Sequence, residues 1–159
     1  MNRSNPADIS RRRSILAIAL SGVAFRFLLI LATPSWSVTT DGARFLRLAA
    51  SRMADTAFLP PLYPCFLILV EFLLGPGIPP IRIAQSILGG VSIYLTAILA
   101  GRFALPENSG RAATFAALLA AFTPPLVLAD LTVMSESLTA VLLAAYLAIS
   151  GFGGDEIRQ

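Results

Sequence analysis

The sequence predicts an all-α, polytopic membrane protein of about four transmembrane helices, with juxtamembrane amphipathic helices in its first external loop. Three observations carry this. Of 159 residues, 56% are apolar and only 13% charged, where a soluble domain has about 45–50% and about 25%. The mean hydropathy is +0.76. The apolar residues gather in long runs with arginines between them. A water-soluble globule of this composition would lack the polar surface to coat itself, and disorder requires the opposite balance. The whole of 1–159 reads as a single membrane domain.

The first run is 14–34, and a span needs roughly 20 apolar residues, or 17 at the short end. Arg3, Arg11, Arg12 and Arg13 precede it, which sets the N-terminus in the cytoplasm by the positive-inside rule. Ser10-Arg11-Arg12-Arg13-Ser14-Ile15-Leu16 resembles a twin-arginine export signal. The run exceeds the 7–15-residue core of a signal, Arg26 interrupts it, and more membrane follows, so it is read as a span. Arg26 within it costs roughly 2.5–3.5 kcal/mol near mid-bilayer and therefore needs a cavity or a partner. Glu71 is the partner if the short helix carrying it dips inward.

Further spans are expected at 81–103, 112–129 and 137–152, the last interrupted by Gly151, Gly153 and Gly154. Thr123-Pro124-Pro125 should bend the third near its external end. Leu62 to Leu74 is apolar but short: it reaches about 20 Å against a hydrocarbon core of about 30 Å, so it lies in the interface or re-enters. Counting parity agrees. The basic loop Arg102–Arg111 belongs with the N-terminus only if two crossings separate them, which leaves 35–80 as one long external loop. Residues 130–136 form a second external loop, and the tail with Arg158 returns to the cytoplasm. The membrane is the inner, or plasma, membrane.

Within the long loop, Trp36 is an interfacial anchor. Residues 41–54 read as an amphipathic helix, with Phe45, Leu46, Ala49, Ala50 and Met53 on one face and Arg44, Arg47 and Ser51 on the other. The basic face is either simply solvated or a seat for lipid phosphate. Asp41 opens the helix and has two readings: an N-cap, or a carboxylate at the membrane boundary that takes a proton from an acceptor hydroxyl. Leu59-Pro60-Pro61-Leu62-Tyr63-Pro64 is a stiff lead into the short apolar helix. Arg82 either snorkels to a headgroup or meets a lipid phosphate. In the second loop, Asp130 opposes the negative end of a helix dipole, which points to use unless it faces water. Ser135 is the expected N-cap of the last helix, and Glu136 either complements that helix dipole or serves the site.

There is no His, so imidazole catalysis and His-ligated metals have no residues to use. Cys65, the only cysteine, is expected as a buried, inert thiol in its apolar run. The net charge is +3 and all basic residues are Arg, scattered among apolar segments. A membrane surface or a phosphate-bearing lipid suits that pattern better than nucleic acid.

The order of these features resembles the N-terminal part of the GT-C superfamily of integral membrane glycosyltransferases, the protein-mannosyltransferase-like and aminoarabinose-transferase-like members above all. The resemblance rests on the basic N-terminus and span, Asp41-Gly-Ala-Arg-Phe45-Leu-Arg-Leu-Ala49, Pro60-Pro61-Leu62-Tyr63-Pro64, Arg82, the cytoplasmic Arg loop and Ser135-Glu136. It covers residues 12–152 through order and spacing, with no single specific motif. It departs from the family at Phe45, where Tyr is common, and at Gly42, where an acidic residue or Ser is common.

The resemblance implies a polyprenyl-phosphate- or diphosphate-linked sugar as donor, inverting transfer on the external face, Asp41 as base or acceptor-orienting group, and Glu136 or Asp130 assisting the acceptor site or holding a metal. Catalytic candidates are Asp41 and Glu136; substrate-binding candidates are Arg44, Arg47, Tyr63, Arg82 and Asp130. No metal ligand set is expected, and a divalent cation is the one cofactor the resemblance allows. Family members have more spans, so this chain is expected to be an incomplete glycosyltransferase. The alternative is a small non-catalytic membrane subunit that binds polyprenyl lipid or a partner membrane protein.

Overall fold

The computed structural model describes residues 6–33, 38–51 and 61–150. These form seven helices and no strand: α1 Pro6–Ala32, α2 Thr40–Ala50, α3 Leu62–Leu74, α4 Ile78–Phe103, α5 Ser109–Phe122, α6 Pro124–Leu131 and α7 Glu136–Ile149.

Two of them, α1 over Ile9–Ala32 and α4, are long and apolar enough to cross a membrane. A third candidate is the α5–α6 pair, bent by 51° at Thr123. The cause is local: Pro124 and Pro125 lack the N–H groups that would bond back to Ala120 and Ala121, so the ladder must break. The expected fourth span is shorter than expected, because α7 has 14 residues, about 21 Å of rise. Its remainder, with Gly151, Gly153 and Gly154, lies outside the described residues, as do Arg3, Trp36, Met53, Pro60 and Arg158.

Hydrogen bonds at the helix ends establish an alternating packing. At one end Arg11 reaches Ser109 (3.4 Å), Ser109 donates to the Gly101 carbonyl (2.8 Å), and Arg102 donates to the Ala148 carbonyl (2.6 Å). The start of α1, the α4–α5 turn and the end of α7 therefore share a basic end. At the other end Arg82 of α4 donates to the Thr33 carbonyl and hydroxyl, both at 3.0 Å, satisfying a carbonyl that the end of α1 leaves open.

Two cores match these two levels. Between α1, α4 and α5 the core is built from Ile15, Ala19, Ile93, Ala97, Ala113, Ala117, Ala120 and Ala121, small side chains that let helix backbones approach closely. Above it, Phe45, Ala49, Tyr63, Leu67, Val70, Ile81 and Val133 bind α2 and α3 to the bundle. α3 is apolar except for Glu71, yet only its Tyr63, Pro64, Leu67 and Val70 face is buried. Leu69, Phe72 and Leu73 stay exposed, the pattern of a helix seated at an apolar boundary. Cys65 falls on that outer face and is exposed, contrary to the expectation of a buried thiol.

The partner of Arg26 also differs from expectation. Glu71 is exposed on α3, and Arg26, 1% exposed, pairs instead with Asp130 of α6, Nε to Oδ2 at 2.6 Å. Its Nη1 donates to the carbonyls of Ala121 (2.9 Å) and Gly22 (3.1 Å). The Ala121 carbonyl is one of those orphaned by the proline break, so Arg26 repairs the bend it packs against. α4 makes room with Gly89, where any Cβ would collide with the Asp130 carboxylate.

Removing one member of such a pair strands a buried charge, a loss of about 3–5 kcal/mol, whereas replacing both by apolar groups is often neutral. Arg26→Met should therefore lower the unfolding free energy in detergent by about 3–5 kcal/mol, and adding Asp130→Leu should restore most of it. A single variant as stable as the parent would show that the pair is not what holds α1 to α6.

Candidate functional site

The second end of the bundle gathers most of the polar side chains singled out in the sequence. α2 begins there because Thr39, extended at φ −62° and ψ 162°, accepts the Gly42 N–H on its hydroxyl at 3.0 Å. The cap is thus Thr39, not Asp41. Asp41 stands in the first turn with its carboxylate 68% exposed and Arg44 Nη1 at 3.5 Å. An exposed pair of this kind contributes about 0–1 kcal/mol.

Gly42 explains how Asp41 is placed. A Cβ there would collide with the carbonyl oxygen of Val133 and lie 2.7 Å from Val38 Cγ1. The first turn of α2 therefore rests directly on the α6–α7 connection. From the other side Gln85 of α4, fully buried, donates to the Met134 carbonyl at 2.8 Å. Held from both sides, this connection brings Asp41, Phe45, Met134, Ser135 and Glu136 around one cavity of about 200 Å³. Asp41 and Glu136 thus share a cavity although one residue opens α2 and the other opens α7. Ser135 occupies the N-cap position of α7 without a side-chain cap bond, contrary to the expected hydroxyl cap.

One turn beyond Asp41, Phe45 is buried and meets Tyr63 edge to face, with ring centroids 4.8 Å apart. Tyr63 in turn stacks on Phe66 at 5.9 Å. Its hydroxyl is buried with no hydrogen-bond partner. Burial first, and the Glu136 charge second, push its pKa well above the ordinary tyrosine value, so the group stays protonated and is a donor without an acceptor. Arg82 Nε and Gln85 Oε1 are likewise buried and unpartnered. Unmet polar atoms gathered at this end contrast with the rule that buried polar groups are paired.

The remaining candidates separate. Arg44 and Arg47 are exposed, on the face of α2 opposite Phe45, Leu48 and Ala49. Arg82 is buried and its two Nη groups serve Thr33. Asp130, expected either at work or in water, is buried in the pair with Arg26. Among the described residues no three His, Cys, Asp or Glu side chains gather as a metal would need. Asp41 and Glu136 alone make a poor fit to a divalent cation. Sequence reasoning missed Thr39, Gly42 as a contact point, and Gln85. Gln85 had a signal, a polar residue within an apolar span, and Thr39 had one, a favoured N-cap residue just ahead of the helix; Gly42 had none.

Comparison with protein-family models, curated proteins and solved structures finds no match.

Gly42→Ala should cost about 1–3 kcal/mol by overpacking and loosen α2 from the α6–α7 connection. Hydrogen exchange should quicken in α2 while α1, α4 and α5 keep their protection. Unchanged protection of α2 would show that the close contact at Gly42 does not hold it.

Proposed function

We propose that this end of the molecule is the acceptor side of a membrane glycosyltransferase that transfers sugar from a polyprenyl-phosphate-linked donor on the external face. The observation that carries the reading is the shared cavity of Asp41 and Glu136, with the capping duty taken by Thr39 and the Asp41 carboxylate left open. A carboxylate at such a boundary suits a general base. In the proposed step Asp41 removes the proton of an acceptor hydroxyl, whose oxygen attacks the anomeric carbon. The bond from that carbon to the donor phosphate oxygen breaks, its electron pair leaves with the phosphate, and the configuration inverts. Glu136 orients the acceptor, and Arg44 and Arg47 on the open face of α2 meet the negative charge of the donor.

The topology that goes with this reading has four crossings by α1, α4, the bent α5–α6 pair and α7, with the basic end in the cytoplasm. Supporting it are the alternating helix directions and the arginines collected at one end. The inner membrane is the proposed location.

Two measurements test these readings. In the complete protein in membranes, Asp41→Asn should reduce sugar transfer by at least ~100-fold, the lower range for loss of a general base, with insertion and unfolding temperature unchanged. Transfer at the parent rate would remove Asp41 from the chemistry. For the topology, in a Cys65→Ser background a membrane-impermeant maleimide should label Ser51→Cys, exposed at the end of α2, on intact cells. In the same background it should reach Asn108→Cys only after the cells are opened. The reverse pattern would invert the topology.

A further inference from the structure

A second feature lies at the opposite end and is independent of the glycosyl-transfer reading. Along the outer face of α1 and α4 runs a groove of about 610 Å³. On α1 its lining recurs at Ile9, Arg12, Leu16, Ala19 and Val23, three or four residues apart and so on a single helix face. Ala19 and Gly90 form the buried floor. Leu16 and Leu20 on one side, and Ile87 and Val91 on the other, rise as partly exposed walls. Its charged lining residues, Arg12 and Arg13, both sit at the basic end.

We propose that this groove holds one acyl chain of an anionic phospholipid whose phosphate rests on Arg12 and Arg13. Length agrees with this occupant. From Ile9 to Val23 the groove follows α1 for about 21 Å, enough for one leaflet of a hydrocarbon core about 30 Å thick. Charge agrees as well. Both arginines are exposed, and among the described residues neither has an ion-pair partner. They share their end with Arg11, Arg102 and Arg111, where headgroups of that leaflet would lie. Guanidinium groups match phosphate oxygens in geometry, and the apolar walls offer nothing to a polar ligand.

The test uses the full chain, stripped of lipid in detergent, with unfolding temperature and native mass spectrometry as readouts. Dioleoyl-phosphatidylglycerol should bind one per chain and raise the unfolding temperature. The paired change Arg12→Gln and Arg13→Gln, on exposed side chains that the fold does not use, should weaken that binding at least tenfold. Val91→Trp, which fills the groove, should weaken it with both arginines in place. Equal binding of phosphatidylcholine, or parental affinity in the paired Arg variant, would overturn the proposal. So would an equal shift from inorganic phosphate, which would mark an anion site without a lipid. A dimer in detergent that Leu16→Trp dissociates would also overturn it, by giving the groove to a second copy.

Discussion

A single buried charge pair organises this molecule. Arg26 stands inside an apolar helix, and an unpaired guanidinium there would be costly in lipid or in a dry core. The chain resolves it with one carboxylate, Asp130, and two carbonyls, of Gly22 and Ala121. Each partner imposes a condition. The Ala121 carbonyl is open because Pro125 cannot donate to it, Asp130 must come from the segment after that break, and α4 must carry Gly89 at the point of approach. Helix bend, ion pair and glycine are one arrangement, and together they determine where α6 ends.

Where α6 ends decides where the connection to α7 lies, and the candidate site follows from that. Val133 receives the first turn of α2, Met134 receives Gln85, and Glu136 opens α7 toward Asp41. Glu136 also borders the small space beside Arg26 and Asp130. The carboxylate proposed to orient an acceptor thus sits directly above the pair that sets the helix positions. Rigidity comes from below, in the alanine-lined contacts of α1, α4 and α5. The aromatic contact of Phe45 with Tyr63 holds the layer of α2 and α3 together.

Gly42 has no room for a side chain against the Val133 carbonyl. Phe45 offers no hydroxyl, while Tyr63 against its ring brings one that is buried and unpartnered.

The sequence by itself determined the helical class, the apolar runs of α1 and α4, the bend at Thr123-Pro124-Pro125, the shortness of α3 and the amphipathic character of α2. These follow from local rules: period, run length, and the missing proline N–H. It also marked Arg26 as a residue in need of a cavity or a partner. Only the tertiary structure decided that the partner is Asp130 rather than Glu71, that Thr39 rather than Asp41 caps α2, that Cys65 faces outward, and that Asp41 and Glu136 meet. Apart from the cap, a local bond between Thr39 and Gly42, each of these depends on which faces of distant helices come into contact. For a helix as apolar as α3, hydrophobic periodicity cannot mark the buried face. Pairing between residues as far apart as 26 and 130 is determined by packing, which no local pattern encodes.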